Sequence, residues 1–526
     1  MNISLLTNRK RMKTKRFMSY TFAALMLTAG AACSDSTSDE PSKGGDDTAY
    51  IFGTDGGNVS CDHVLFDEAG KEAHEGNVIG NGDQNFVFKG TQTLKKGTYI
   101  LKGWVYIADG STLTLEPGTI IKGDKKTKAA IIAERGGKLI AKGTATQPII
   151  FTSNEAKGNR KPGDWGGVIL CGKAPNNQSI TEGMMIEGGP RTKHGGSDVS
   201  DNSGVLSYVR VEFAGYPFET DKEINGITFG SVGKGTQIDH VQVSYSNDDS
   251  FEWFGGSVNC KYLVAYKGWD DDFDTDNGFS GNVQYGLVIR DPKIADKSQS
   301  NGFESDNCAD GAAIEPYTTA TFSNITFVGP MAYSGFQNTT DYINGGEYKP
   351  ENLAGLGKFQ AAMQIRRSSR LNCFNSVAIG FPIGVIIDGE KGGTVNYAKE
   401  GKLNLQNIWL AGMGITGSDA NKKYDDYLLN ADGSYDSSKE SFSSSYFKAQ
   451  TGNKVLANIA DINFKDGRNI GVQYMPSANS GVLTAASFTD AILSNGFDKV
   501  SYVGAFGTDD SWLEGWTNFD PNNTEY

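Results

Sequence analysis

Histidine, proline and an excess of positive charge are all in short supply in this chain. Only four histidines occur in 526 residues. His63, His74, His194 and His240 are scattered, and none opens an H-E-x-x-H or similar ligand pair, so no histidine metal site is read from them. Fourteen prolines are too few for a collagen-like or Pro-rich disordered chain. The six cysteines contain no C-x-x-C pair. Setting Cys33 apart leaves five, an odd count that argues against a metal ribbon or a full disulfide framework. No G-x-S-x-G elbow, Walker loop or dinucleotide fingerprint stands between a strand and a helix, and Gly230–Gly235 resembles a phosphate loop only superficially. Bases number 49 against 62 acids, for a formal charge of −13. Without residues 1–32, which hold six bases and no acids, the balance is −19. That sign disfavours nucleic acid and anionic membrane surfaces as partners and suits cations or a solvated extracellular surface.

Glycine is what the chain has in quantity, 67 residues, about 13% against roughly 7% in average proteins. From Gly103 onward, strands of three to five valine-, isoleucine- and aromatic-rich residues are punctuated by D-G, P-G, K-G and G-G corners. The strands are too short, and the corners too regular, for hairpins. Stacking each strand on its equivalent one coil later gives a right-handed parallel β-helix, an all-β solenoid.

Residues 238–307 show the repeat most clearly. Phe251 and Phe273 align at a spacing of 22, and the same shift lays Val241 on Leu263, Asp248 on Asp270, Asp249 on Asp271 and Glu252 on Asp274. Extending it gives a column of Gly230, Glu252, Asp274, Glu304, Arg366 and Asp388, with Asp276 and Asp306 in a parallel column two residues on. Carboxylates stacked about 4.8 Å apart repel unless a calcium ion, an arginine or a retained proton neutralises them. The candidate calcium ligands are therefore Glu252, Asp274, Asp276, Glu304 and Asp306, and Trp253, Trp269 and Tyr285 are candidate stacking faces for a sugar. Two acids alone would suffice for a glycoside hydrolase. The competing reading is structural: Asp248, Asp249 and Asp270–Asp272 sit at corners where Asp caps its own backbone. Cys260 and Cys373 take similar places in their repeats but fall about three coils apart. That is roughly 14 Å, beyond disulfide reach, so buried thiols are expected.

The expected organisation is a signal peptide over residues 1–32, an acidic Ser/Asp-rich tether over 33–50, a cap region over 51–95, and the β-helix over 96–526. Insertions fall near 172–204, 331–358 and 414–456, and AASFTDAIL is a candidate C-terminal cap. The basic run Arg9–Arg16, the apolar stretch Phe17–Ala32 and the small residues before Cys33 read as a secretory signal. They resemble a lipobox with Cys33 as the lipidated residue, although Gly30 stands where leucine is usual.

The runs ADGSTLTLEPGTIIKG, GTATQPIIFTS, PGDWGGVIL, SNDDSFEWFGG, VSYVGAFG and WLEGWTNF, spread over roughly residues 95–520, resemble the pectin-lyase-like β-helix lipoproteins of Bacteroidota. The resemblance implies a cell-envelope protein, lipid-anchored in the outer membrane and facing the exterior, that binds an extracellular ligand such as a polysaccharide. A TonB-dependent outer-membrane transporter is the implied partner. Alternatives are a calcium-assisted polysaccharide lyase or hydrolase, and a structural adhesin. In pectate-lyase-like enzymes, acids of the ladder hold calcium and an Arg or Lys is the base; here Glu252, Asp274 and Glu304 would be ligands, with Arg366 or Arg367 as base.

Overall fold

The runs of β-branched and aromatic residues between glycine corners form strands whose neighbours lie one coil away. The computed structural model describes residues 51–53, 59–60, 77–179, 181–219, 222–343, 357–418, 439–465 and 469–526. The signal, Cys33 and the tether lie outside them. A 13-stranded sheet runs the length of the solenoid, and a 17-stranded sheet forms the remaining sides. From Phe86–Lys89 to Ile415–Ser418 the first sheet is parallel throughout. The result is a right-handed parallel β-helix.

Alternation along each strand sends one set of side chains inward, where Phe229, Phe251, Trp253, Phe273 and Phe303 are fully buried in the core. In the central coils the second sheet uses one long strand per turn: Gly204–Glu212, Gln237–Ser244, Cys260–Tyr266, Asn282–Ile289 and Thr321–Val328. Each has a positive-φ residue in its middle, namely Tyr208, His240, Tyr262, Tyr285 and Asn324. That left-handed residue turns the strand through a corner, so one strand serves two faces. Such a backbone is unusual for tyrosine and costs about 1–3 kcal/mol. The rings repay part of it by stacking at 4.3 Å (Tyr208–His240), 4.4 Å (His240–Tyr262) and 4.8 Å (Tyr262–Tyr285), each about 0.5–1.5 kcal/mol.

The 22-residue step holds where it was read, with Phe251 on Phe273 and Val241 on Leu263. Cys260 and Cys373 are three strands apart through Val283 and Phe322. Both are buried free thiols, as are Cys171 and Cys308; Cys61 lies outside the described residues.

The ends differ from expectation. Parallel pairing starts before residue 96, with Asn77–Ile79 on Thr98–Leu101 and Phe86–Lys89 on Trp104–Ile107. The strand Ile51–Gly53 covers that edge by pairing antiparallel with Phe86–Lys89. At the other end the closing element is the helix Phe442–Ala449, in the third insertion. Ser441 caps its N-terminus by accepting from the Ser444 N–H, Ser443 Oγ accepts from the Ile387 N–H at 2.9 Å, and Phe447 enters the core. AASFTDAIL is not that cap. It belongs to a tail that returns along the flank of the solenoid, where Asn375 holds Ser487, Gln284 holds Asp498 and Gln242 holds Asn518.

The first insertion forms the antiparallel pair Met184–Met185 and Lys193–His194. In the second, the helix Thr340–Ile343 is described and residues 344–356 are not. Residues 419–438 of the third are likewise outside the described set. Among the described residues, no helix is long and apolar enough to cross a membrane.

Candidate functional site

Strand alternation that buries Phe251 and Trp253 turns Glu252 and Phe254 outward. Glu252 pairs in register with Asp274, and Asp274 with Glu304. On the preceding coil Thr228, not Gly230, faces Glu252; Gly230 faces Phe254. The turn after Gly230 holds two more residues than the turn after Phe254, so projecting the 22-residue step backwards overshoots.

Past Glu304 the column continues with Gln364, since Glu304 pairs with Gln364 and Ser305 with Ile365. Arg366 therefore stands opposite Asp306, its N–H bonded to the Ser305 carbonyl at 2.9 Å. Asp388 follows in that same second column, its N–H on the Ile365 carbonyl at 2.9 Å. The spacing that suggested otherwise joined residues of different columns: Val377 pairs with Thr326, which lies in line with Val264 rather than Leu263.

These columns floor a cleft of about 980 Å³. One wall is the first insertion, Met184–Pro190, and the other comes from residues 296–298 and 308–310 with Ile314. Twelve carboxylates and three cations, Lys297, Arg366 and Arg367, line it. Arg366 is buried and fully engaged, with Nε donating to Asp306 Oδ1 at 2.8 Å and Nη2 paired with Glu304. Arg367 Nη1 donates to the other Asp306 oxygen at 2.7 Å. Burial works against the charge of Arg366, but Glu304 and Asp306 outweigh it and push its pKa further up. A guanidinium held in this way is a structural counter-ion for two carboxylates. Among the candidate bases, Arg366 is thus corrected to a bridging role, and Arg367 is an ion-pair partner at a positive-φ corner.

Behind the floor, Asp272 and Arg290 form an ion pair at 3.1 Å with neither side chain exposed. Burial raises Asp272 to about 7, with Arg290 restraining the rise.

The floor itself has too few counter-ions. Three sets of carboxylates bring their oxygens within 4.8 Å of one another: Asp248, Asp249 and Asp270; Asp249, Glu252 and Asp274; and Asp271, Asp274 and Glu304. At that distance each ionised pair repels by roughly 3–4 kcal/mol for an effective dielectric near 20. Burial first, then the neighbouring acids, pushes Asp248, Asp249, Glu252, Asp271 and Asp274 well above the usual carboxylate range. Asp276 rises to about 8 through burial and then Asp306.

Polar neighbours satisfy these oxygens only in part. Asp249 Oδ1 accepts the Asp271 N–H at 2.8 Å, and Glu252 Oε2 accepts from the Asn225 amide. Asp249 and Glu252 are each 6% exposed. The other oxygen of each has no hydrogen-bond donor among the described residues, and Asp274 Oδ1 is buried without one. Oxygen-only donors in convergent sets, short of protein donors, fit a hard divalent cation such as calcium, which takes six to eight oxygens. Magnesium or zinc would need a stricter octahedron or nitrogen and sulfur donors.

The competing structural reading places Asp248, Asp249 and Asp270–Asp272 at corners that cap themselves. Asp249 and Asp271 instead cap the next coil, the latter accepting the Asn301 N–H. Their shared 22-residue step was the signal that they form a ladder. Glu187, Glu223 and Lys297 come to the cleft from outside the repeat, so no register argument reaches them.

The three aromatic candidates are not in the cleft. Trp253 is fully buried in the core, 5.4 Å from both Phe229 and Phe279. Trp269 is fully buried in a second apolar cluster with Leu287 and Ile294. Tyr285 is 3% exposed and sits in the corner stack. Strand alternation decides Trp253, whereas Trp269 lies past the end of the strand Cys260–Tyr266 and Tyr285 sits at the positive-φ corner of its strand.

Comparison with known proteins agrees with the strand topology. Residues 87–460 match the model of a pectate-lyase-like β-helix domain. Among solved structures, pectate lyase Pel9A aligns over 80% of both chains at 10% identity with a TM-score of 0.32. The Dettilon tailspike protein aligns over 69% of this chain and 62% of its own at 12% identity with a TM-score of 0.23. No curated protein matches the sequence. The architecture rests on the parallel strand pairing. With the family model spanning most of its length, the chain belongs to the pectate-lyase-like β-helix domain family.

Proposed function

We propose that the acidic cleft binds an extracellular polysaccharide through calcium held on Asp249, Glu252, Asp274 and Glu304. The observation that carries this reading is the convergence of buried carboxylates, short of donors, on the floor of a cleft as large as an oligosaccharide subsite. Calcium, when bound, would supply the positive charge that the floor lacks and offer open coordination positions to sugar hydroxyl or carboxylate oxygens. Arg366 and Arg367 hold Glu304 and Asp306 in place at one end of the floor. Binding without turnover is favoured because Arg366 has no lone pair to offer and both its acids are already bridged.

Calorimetry of the full chain with uronic and neutral polysaccharides, in calcium and in chelator, tests the proposal. Affinity should appear only with calcium and be lost in Glu252→Gln and Asp274→Asn. Unchanged binding in chelator would overturn it. The lyase reading draws on one observation, that Lys297 lines the same cleft. It predicts an ultraviolet-absorbing unsaturated product that disappears in Lys297→Ala.

The N-terminal features support a lipid anchor on Cys33 and an outer-membrane location facing outward, and the resemblance to β-helix lipoproteins supports a place beside a TonB-dependent transporter. Cys33→Ala should release the protein from the membrane fraction.

A further inference from the structure

The carboxylate sets in the cleft are too widely distributed for one ion. The corner set, Asp248, Asp249 and Asp270, and the strand-face set, Asp271, Asp274 and Glu304, have no residue in common. Between them, Asp249 and Glu252 meet Asp274 in a set that shares a member with each. A single cation on this middle set would leave Asp248, Asp270, Asp271 and Glu304 without it. Glu304 has Arg366, and Asp271 has the Asn301 N–H. At the corner, Ser298 Oγ donates to Asp270, and to Asp296 at 3.0 Å, fixing the outer side of that set. Asp248 has no hydrogen-bond donor or ion-pair partner among the described residues, and the nine-tenths-buried Asp249 beside it keeps one oxygen without a donor while lining the cleft.

We propose that the cleft floor binds two divalent cations, one in the corner set and one in the strand-face set, with Glu252 between them. The inference rests on the reading of the cleft as a cation site and adds its stoichiometry and a second ligand group, Asp248 and Asp270. Two ions present open positions along the axis of the solenoid, one coil apart, which is the direction in which a linear polymer would lie. The middle set shares Asp249 with the corner set and Asp274 with the strand-face set, so filling one position organises a ligand for the other.

Titration of the metal-free full chain with calcium alone, followed by calorimetry and checked by terbium luminescence, tests this. Two equivalents are expected for the wild type. Asp248→Asn with Asp270→Asn should leave one equivalent, and Asp274→Asn should remove at least the strand-face ion while the corner ion remains. Each variant's melting curve without calcium, expected at or above that of the wild type because repulsion is relieved, separates a lost site from a lost fold. One equivalent in the wild type, or an unchanged count in the corner variant, overturns the two-ion proposal but leaves a cation-binding cleft. No bound calcium at all overturns both.

Discussion

Arg366 and Asp274 show how one column of side chains can be balanced at one end and strained at the other. Arg366 touches Glu304 and Asp306 from a buried position, so its removal takes a counter-ion from Glu304 and leaves Asp306 to Arg367. Arg366→Gln should lower stability by about 3–5 kcal/mol in urea denaturation at pH 7. Added calcium should recover part of the loss, since a cation can take over the same oxygens. Around Asp274 and Asp276 the imbalance sets a pH dependence of unusual sign. A carboxylate whose pKa is raised in the folded state binds more protons there than in the unfolded chain, so stability falls as pH rises between the two values. With Asp276 at about 8 and unfolded aspartate near 4, the metal-free protein should melt at progressively lower temperature from pH 5 to pH 8. Saturating calcium should flatten or invert that slope. A melting temperature that rises with pH in chelator would show that the floor carries its charge without cost.

At the scale of elements, the strand decides what a residue can do. Glu252 and Trp253 are neighbours in sequence, yet one lines the cleft and the other fills the core. Trp253→Ala should destabilise by about 3–5 kcal/mol, as expected for emptying a buried aromatic site. Trp253→Phe should cost less and leave calcium and polysaccharide affinity at wild-type values; a specific loss of sugar affinity in Trp253→Phe would restore the tryptophan to the site. The carboxylate ladder was legible from the 22-residue step because Phe251, Phe273 and Phe303 mark the inward position. Beyond Glu304 the legibility ended, since Met363 and not an aromatic residue marks the next coil, and insertions intervene. The corners were hidden for a different reason. Asn324, Asn375 and Asn407 are ordinary left-handed residues, but Tyr208, His240, Tyr262 and Tyr285 hold the same backbone conformation with their rings stacked, which offsets part of its cost.

On the scale of the whole molecule, the tail after residue 479 acts as a strap. Asn375 accepts the Ser487 N–H at 2.8 Å and donates to its carbonyl at 3.0 Å; Gln284 does the same for Asp498, and Gln242 for Asn518. Further back, Arg160 reaches the Pro521 carbonyl and Lys122 the Tyr526 carbonyl, both at 2.7 Å. Val503, Phe506, Leu513 and Trp516 complete the apolar cluster that contains Val264, Leu287, Ile289 and Trp409. A chain ending at Asn479 would expose that cluster on the flank. It should appear in the insoluble fraction, or bind a hydrophobic dye if refolded, and adding residues 480–526 as a separate peptide should reduce the dye signal. A soluble, dye-silent truncation would show that the solenoid closes its flank without the strap.

Short strands, glycine corners and the 22-residue phenylalanine step determined the parallel β-helix and the inward and outward faces of its central coils. Those features are local, and a solenoid repeats local structure. The ladder Glu252–Asp274–Glu304 followed for the same reason. Only the tertiary structure decided that Arg366 bridges two acids, that the tryptophans belong to the core, and that the tail is a flank strap. Each depends on how many residues an insertion or corner contributes before the chain rejoins the stack. The cleft wall, built by Met184–Pro190 against residues 296–298, brings together segments more than 100 residues apart that share no repeat. Their meeting is a property of the closed coil, not of any stretch of sequence.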